Sequence, residues 1–428
     1  MGKLEEQDFD EKRLARRQRR QRSQLIAYII LVSMIVVVLL AGGLGVHYIK
    51  KAFRNMKAEK VAEQEASLEN SQQENVVIET PSDVAMEPEE MSESDVLDDA
   101  ADNLIAALSL EDKVAGLFMV SPEQFTGVDT VVKAGSSTQE ALSRYAVGGI
   151  VYSAKNVKST EQISEMIQNT NSMSKYPIFT AIREDGSSDG TITASIGGIE
   201  QVEVNNADTA YTFATNIAAT MFKYGFNFNI APSVDISENG KYGTDASAVK
   251  EITASLAMGL QDSGITACVY DFPVGASDLS KLATDDTSTE IFESGIYDIY
   301  RSVFDSGRAG AVMMSDISLP NVTGDNTPAS LSSKMISDEL RGKLGFNGVV
   351  LTGPLNQGAI TEYYTSAEAA VNAINAGADI IYLPENFEEA YNGVLEAVQN
   401  GVISEERINE SLRRIYRIKY ADSIGESN

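Results

Sequence analysis

The chain has 428 residues and a formal net charge of −28, with 62 acidic against 34 basic side chains, which excludes a nucleic-acid partner because phosphate binding needs clustered Lys and Arg. Its one cysteine, Cys268, cannot form an internal disulfide and lies in an apolar run as a buried thiol would; no Cys/His cluster offers a metal site and no cofactor is expected. Its one histidine, His47, sits at the edge of an apolar segment, so no mechanism that needs an imidazole is available to the residues beyond it.

Residues Leu25 to Val46 read LIAYIILVSMIVVVLLAGGLGV, with no charged side chain. At 1.5 Å per residue, about 22 residues cross a hydrocarbon core of roughly 30 Å. The flank before the run is basic (Lys12, Arg13, Arg16, Arg17, Arg19, Arg20, Arg22), and the flank after it is less so. The positive-inside rule then predicts a cytoplasmic tail over 1–24 and a single transmembrane helix over 25–47, with the rest outside the cell. A cleaved signal peptide is the alternative. It is disfavoured by the long preceding region, the length of the run and the poor cleavage site AGGLGV. Residues 48–100 form an acidic stalk, rich in Glu, Ser, Gln and Asn, that cannot bury enough apolar area to offset its ordering entropy. It reads as a disordered or partly helical spacer.

Over 101–428 short apolar runs alternate with helical periodicities. The predicted strands are Leu117–Val120, Gly149–Tyr152, Pro177–Ile182, Phe226–Ala231, Thr266–Tyr270, Ala311–Met314, Gly348–Leu351 and Asp379–Leu383. Helices are predicted at Ala207–Tyr224 and Ala367–Ala376, among others. Ser109 with Asp112 reads as a capping box opening the first helix. The last helix starts at Ser404 and should end in Arg413, Arg414, Arg417 and Lys419, matching its macrodipole, with Ile408, Leu412, Ile415 and Ile418 packed inward. Eight such βα units suggest an α/β fold of the (β/α)8 TIM-barrel type; a doubly wound open sheet is the alternative, since periodicity does not show closure.

In a barrel the strand ends define the site. Glu184 and Asp185 follow the third strand, Asp235 the fourth, Asp271 the fifth and Asp316 the sixth. A carboxylate pair is the minimum for glycoside hydrolysis. Loop acids are also ordinary solvated side chains or helix caps, and in a chain this acidic any single one is more readily that.

Several stretches carry a resemblance: LSLEDKVAGLFMV (108–120), VGGIVYSAKN (147–156), YGFNFNIAPSVDI (224–236), PASLSSKMISDELRGKLGFNGVVLT (328–352), EAAVNAINAGADIIYLP (368–384) and GVISEERINESLRRIYRIKY (401–420). Together they resemble glycoside hydrolase family 3, in its single-domain β-N-acetylhexosaminidase branch. The resemblance implies the (β/α)8 barrel, a bacterial setting and work on cell-wall sugars.

It also implies where the chemistry should be. In the family the seventh strand ends in Thr-Asp, the aspartate being the nucleophile; here the position is Gly353. The family's Lys-His-Phe-Pro-Gly-His-Gly, which holds the acid/base histidine, reads Tyr270-Asp-Phe-Pro-Val-Gly-Ala276. Its Asp-Gln-Glu-Gly-Gly reads Arg183-Glu-Asp-Gly-Ser187, and its Arg-Ser-Phe-Gly reads Gly240-Lys-Tyr-Gly243. No credible catalytic residue remains. Arg183, Asp185, Asp235, Lys241, Asp271 and Asp316 are the candidate pocket or binding residues. The expected protein is a membrane-anchored, catalytically inactive hexosaminidase relative that binds a cell-wall glycan or an envelope protein partner. An active glycosidase using relocated carboxylates, or a scaffold without a ligand, are the alternatives.

Overall fold

The computed structural model describes residues 93–236, 240–276, 278–307 and 309–425. The expected cytoplasmic tail, transmembrane helix and most of the stalk lie outside the described residues, among which no helix is long and apolar enough to cross a membrane.

Eight parallel strands form the core: β1 Phe118–Val120, β2 Gly149–Val151, β3 Phe179–Ile182, β4 Phe228–Asn229, β5 Thr266–Phe272, β6 Ala311–Met314, β7 Val349–Leu351 and β8 Ile381–Tyr382. They neighbour one another in the order β8-β1-β2-β3-β4-β5-β6-β7. The ends of that row meet through one bridge, Leu351 with Ile380, where Thr352 N–H donates to the Ile380 carbonyl at 3.0 Å. The sheet is a barrel rather than an open layer. All eight predicted strands are present, each within its apolar run except β5, which runs two residues past Tyr270. Every residue of β1, β2, β3, β6 and β7 is buried, as continuous apolar strands must be when helices cover one face and a packed interior the other.

Local chemistry sets the helix ends. Ala207–Tyr224 opens on an Asn206 capping box with Thr209 and closes on Gly225 at φ 88°, a conformation glycine adopts without strain. Ser366–Ala376 opens on a Thr365–Glu368 capping box and closes on Gly377.

The termini depart from the expectations. The domain begins with helix Glu93–Ala107, whose first residues fall in the segment read as stalk. Ala101 and Ile105 of this helix are buried, and Asp98 and Asp102 pair with Arg417 and Arg413 of the last helix. Ser109 therefore opens the second described helix, Leu110–Ala115, and its cap runs one way: its hydroxyl accepts from Asp112 N–H at 3.1 Å.

The last helix runs on to Gly425, so its basic residues lie mid-helix and serve packing rather than the macrodipole. It passes the strand-start end of the barrel. Arg407 donates to the Ala378 carbonyl at 2.7 Å, just before β8, and Lys419 to the Gly148 carbonyl at 2.8 Å, just before β2. Ile408, Leu412 and Ile415 are buried; Ile418 is half-buried.

Candidate barrel-mouth site

The predicted site residues all stand at or beyond the C-terminal ends of the strands, in two groups. The first lies over β3, β4 and β5. Arg183 Nη2 donates to the Tyr270 hydroxyl at 2.7 Å, and its guanidinium lies 4.7 Å from the centre of the Tyr270 ring. Asp185 Oδ1 accepts from Ser187 N–H at 2.9 Å, and Oδ2 lies 3.3 Å from Lys241 Nζ, which also donates to the Asp185 carbonyl. Burial pushes the Asp185 carboxyl up, but Ser187 and Lys241 outweigh it and hold the group below its ordinary value.

Asp271, next to last in β5, has φ 73°, a backbone region that costs a side-chain-bearing residue strain. Its Oδ2 accepts from Ser233 Oγ at 3.3 Å. Gly275 packs so tightly on the carboxylate that a side chain there would displace it. Burial raises the Asp271 carboxyl to about 6; Arg183 and Ser233 oppose this, and the half-buried Asp235 adds to it.

Glu184 is not a mouth acid. It is 0% exposed, and Oε2 accepts from Ile192 and Thr193 N–H at 2.6 and 3.0 Å. Oε1 accepts from Gly186 N–H and Thr193 Oγ1 at 2.7 and 2.9 Å. This carboxylate closes the loop after β3 onto the short helix Thr191–Ser195. Beneath it Asn229 clasps the Glu184 main chain, accepting from its N–H and donating to its carbonyl, both at 2.9 Å.

The second group lies over β6 and β7. Asp316 is 1% exposed; Ser330 Oγ donates to its Oδ1, and Oδ2 has no hydrogen-bond partner among the described residues. Burial lifts the Asp316 carboxyl to about 7, the Ser330 hydrogen bond opposes the rise, and the Asp271 charge adds to it. Gly353, also buried, faces this carboxylate: a β-carbon on Gly353 would overlap all three carboxyl atoms of Asp316. The space over Gly353 is therefore filled from the segment that follows β6.

The loop after β5 helps to cover this side. Its Ala283–Thr284 pairs in parallel with Ile317–Ser318, and Ala359 N–H donates to the Leu279 carbonyl at 3.0 Å. Sequence reasoning missed Ser233, Ser330 and Gly275. Ser233 reaches Asp271 from the loop after the adjacent strand, Ser330 reaches Asp316 from 14 residues on, and Gly275 packs on Asp271 within one loop; a loop serine or glycine does not announce such a contact in its local sequence.

A groove of about 890 Å³ opens elsewhere on the same face, walled by Phe125, Tyr145, Tyr364 and Phe387 and edged by Glu140 and Glu388. None of the predicted site residues lines it.

Residues 109–418 match the family model described as Glycosyl hydrolase family 3 N terminal domain. The chain belongs to glycosyl hydrolase family 3. It is 23% identical over 325 residues to beta-hexosaminidase A of Pseudoalteromonas piscicida, an overlap that covers 65% of this chain and 54% of that protein. It is 26% identical over 272 residues to a beta-hexosaminidase of Nitrosomonas eutropha, covering 58% of this chain and 77% of that one. The family 3 β-N-acetylglucosaminidase structure from Paenibacillus sp. str. FPU-7 superposes with a TM-score of 0.68 at 29% identity, over 74% of this chain and 63% of the other. The chain thus spans about half the length of the Pseudoalteromonas protein. Position 353, where the family resemblance led us to expect the attacking aspartate, is a glycine, and the chain's one histidine is His47.

Proposed function

We propose that this family 3 protein is a catalytically inactive relative of the β-N-acetylhexosaminidases that binds a partner instead of cleaving a glycosidic bond. The observation that carries the reading is the pairing of Gly353 with Asp316. A retaining mechanism needs an ionised carboxylate aimed at the anomeric carbon, about 5 to 5.5 Å from its acid partner. Gly353 supplies none. The carboxyl that takes its space is buried, raised to about 7 and without open access. Arg183 and Lys241 are engaged by Tyr270 and Asp185, which leaves little of a sugar-gripping pocket on the other side.

The partner fitting an emptied and partly covered mouth is a protein of the cell envelope. The charge-free run Leu25–Val46 and its basic flank supply the anchor that holds the barrel outside the cell. Protease added to intact cells should then release nearly the whole barrel by cutting between the anchor and residue 93; release only after membrane disruption would overturn that topology.

A second reading, an active glycosidase with relocated carboxylates, is favoured by one feature: burial raises both Asp271 and Asp316, and the Asp271 charge adds to the rise at Asp316, as an acid catalyst needs. Purified protein with an aryl N-acetyl-β-glucosaminide separates the two. No turnover above an uncatalysed blank is expected. Turnover abolished by Asp271→Asn or Asp316→Asn would establish the second reading. N-acetylglucosamine and muropeptide fragments should leave the melting temperature unchanged; a dose-dependent rise would make the ligand a cell-wall glycan.

A further inference from the structure

Asp316 lies where three attachments converge. Ser330 donates to its Oδ1. The next residues, Ile317–Ser318, pair with Ala283–Thr284, and Asp285 N–H donates to the Ser318 carbonyl at 2.9 Å. On the same segment Leu279 binds Ala359, and the Ser280 main chain approaches Gly358 so closely that no β-carbon fits there. Segment 278–285 is thereby tied to segment 354–361, with Asp316 and Gly353 buried beside the tie. A carboxyl in this setting is tolerated when neutral. Ionised, it would keep Oδ2 dry and unpaired, which is unfavourable unless the surroundings open to water.

We propose that Asp316 is the trigger of a pH-operated latch: its neutral carboxyl lets segment 278–285 close on segment 354–361, and its ionisation loosens the tie.

The charged group facing Asp316 is Asp271 of β5, which opposes ionisation; Asp271 in turn faces Arg183 from the loop after β3 and Asp235 from the loop after β4. On segment 278–285, Asp278 and Lys281 pair at the surface 3.9 Å apart, and Asp285 Oδ1 accepts from Thr287 N–H at 2.7 Å. Segment 354–361 and the stretch 328–332 around Ser330 carry no charge.

The direction follows from linkage. Closed, Asp316 keeps its proton up to about pH 7. Open to water, it would lose it near the ordinary aspartate value of about 3.9. Closing therefore retains a proton that opening releases. The open fraction should rise by up to about tenfold per pH unit from about pH 4 to about pH 7, then level off. Asp271 acts in the same direction through a smaller rise. The latch is independent of whether the barrel cleaves a sugar.

Amide hydrogen exchange on the full-length protein, corrected for the intrinsic pH dependence, reads the latch directly. Protection of the Ala359 and Asp285 amides should fall at least about tenfold between pH 5 and pH 7.5. The Ile381 amide, bonded to the Leu117 carbonyl between β8 and β1, should not follow. Asp316→Asn should flatten the dependence. Ser330→Ala, which removes the hydrogen bond favouring the ionised form, should extend the fall to higher pH before it levels off. Protection that is flat with pH in the unaltered protein, or that falls equally in Asp316→Asn, would overturn the proposal.

Discussion

The Asp316 carboxylate occupies the volume into which any side chain at Gly353 would project. A side chain at position 353 and the Asp316 carboxyl therefore exclude one another. Gly353→Asp should destabilise the protein by about 1–3 kcal/mol through overpacking, and further by placing two carboxyls together. It should restore no hydrolysis. Adding Asp316→Ser should recover most of the stability while the activity stays absent. Thermal melts and an aryl-glycoside assay on the single and double variants check this; a Gly353→Asp protein as stable as the parent would contradict it.

Lys419 places its ammonium 2.8 Å from the Gly148 carbonyl, between the rings of Phe179 and Tyr416 at 4.7 and 5.1 Å. Burial pushes this lysine down to about 7. The unfolded chain holds the proton up to about pH 10.4, so the folded form binds fewer protons between the two values. Stability from this group is therefore lowest below about pH 7 and rises as pH increases toward about 10. Lys419→Met should flatten that rise, and denaturant melts at pH 6.5 and 9.5 measure it. The two aromatic faces offset part of the burial cost, so the gain in the variant at pH 6.5 should stay within about 1–3 kcal/mol.

Asp379 is 0% exposed and holds the β7–β8 seam. It accepts from Arg341 at 2.6 Å, Arg414 at 3.0 Å, Ser411 at 2.7 Å and Val350 N–H at 2.9 Å. Removing one partner of a buried charge cluster leaves the others uncompensated. Asp379→Ala should cost about 3–5 kcal/mol, whereas Arg414→Met, which leaves two guanidinium groups near the carboxylate, should cost much less. Chemical denaturation orders the two; equal losses would mean that the cluster acts by packing alone.

The first described helix tests where the folded domain begins. Ile105→Ala should cost about 2–5 kcal/mol, because Ile105 is buried against the core. Asp98→Asn breaks a solvent-exposed pair with Arg417 and should cost about 0–1 kcal/mol. A negligible effect of Ile105→Ala would return this helix to the stalk.

The barrel strands were legible because parallel strands buried on both faces must be continuous apolar runs, and eight such runs stand in the sequence. The ends of Ala207–Tyr224 were legible because Asn206 and Gly225 act within one turn of chain. Arg413, Arg417 and Lys419 misled for the opposite reason. Their spacing suits a helix terminus, but their partners, Asp102, Asp98 and the Gly148 carbonyl, lie some 270 to 320 residues away in the chain.

By itself the sequence determined the charge-free run at 25–46, the βα alternation, the absence of an imidazole from the barrel and the glycine at position 353. Each is a matter of residue type or of spacing along the chain. Tertiary structure decided that the sheet closes, that Glu184 turns inward as a helix cap while Asp271 stays at the mouth, and that Asp316 fills the place left by Gly353. A carboxylate's role depends on its burial and its partners. Those partners come from strands and loops that meet only when the barrel forms.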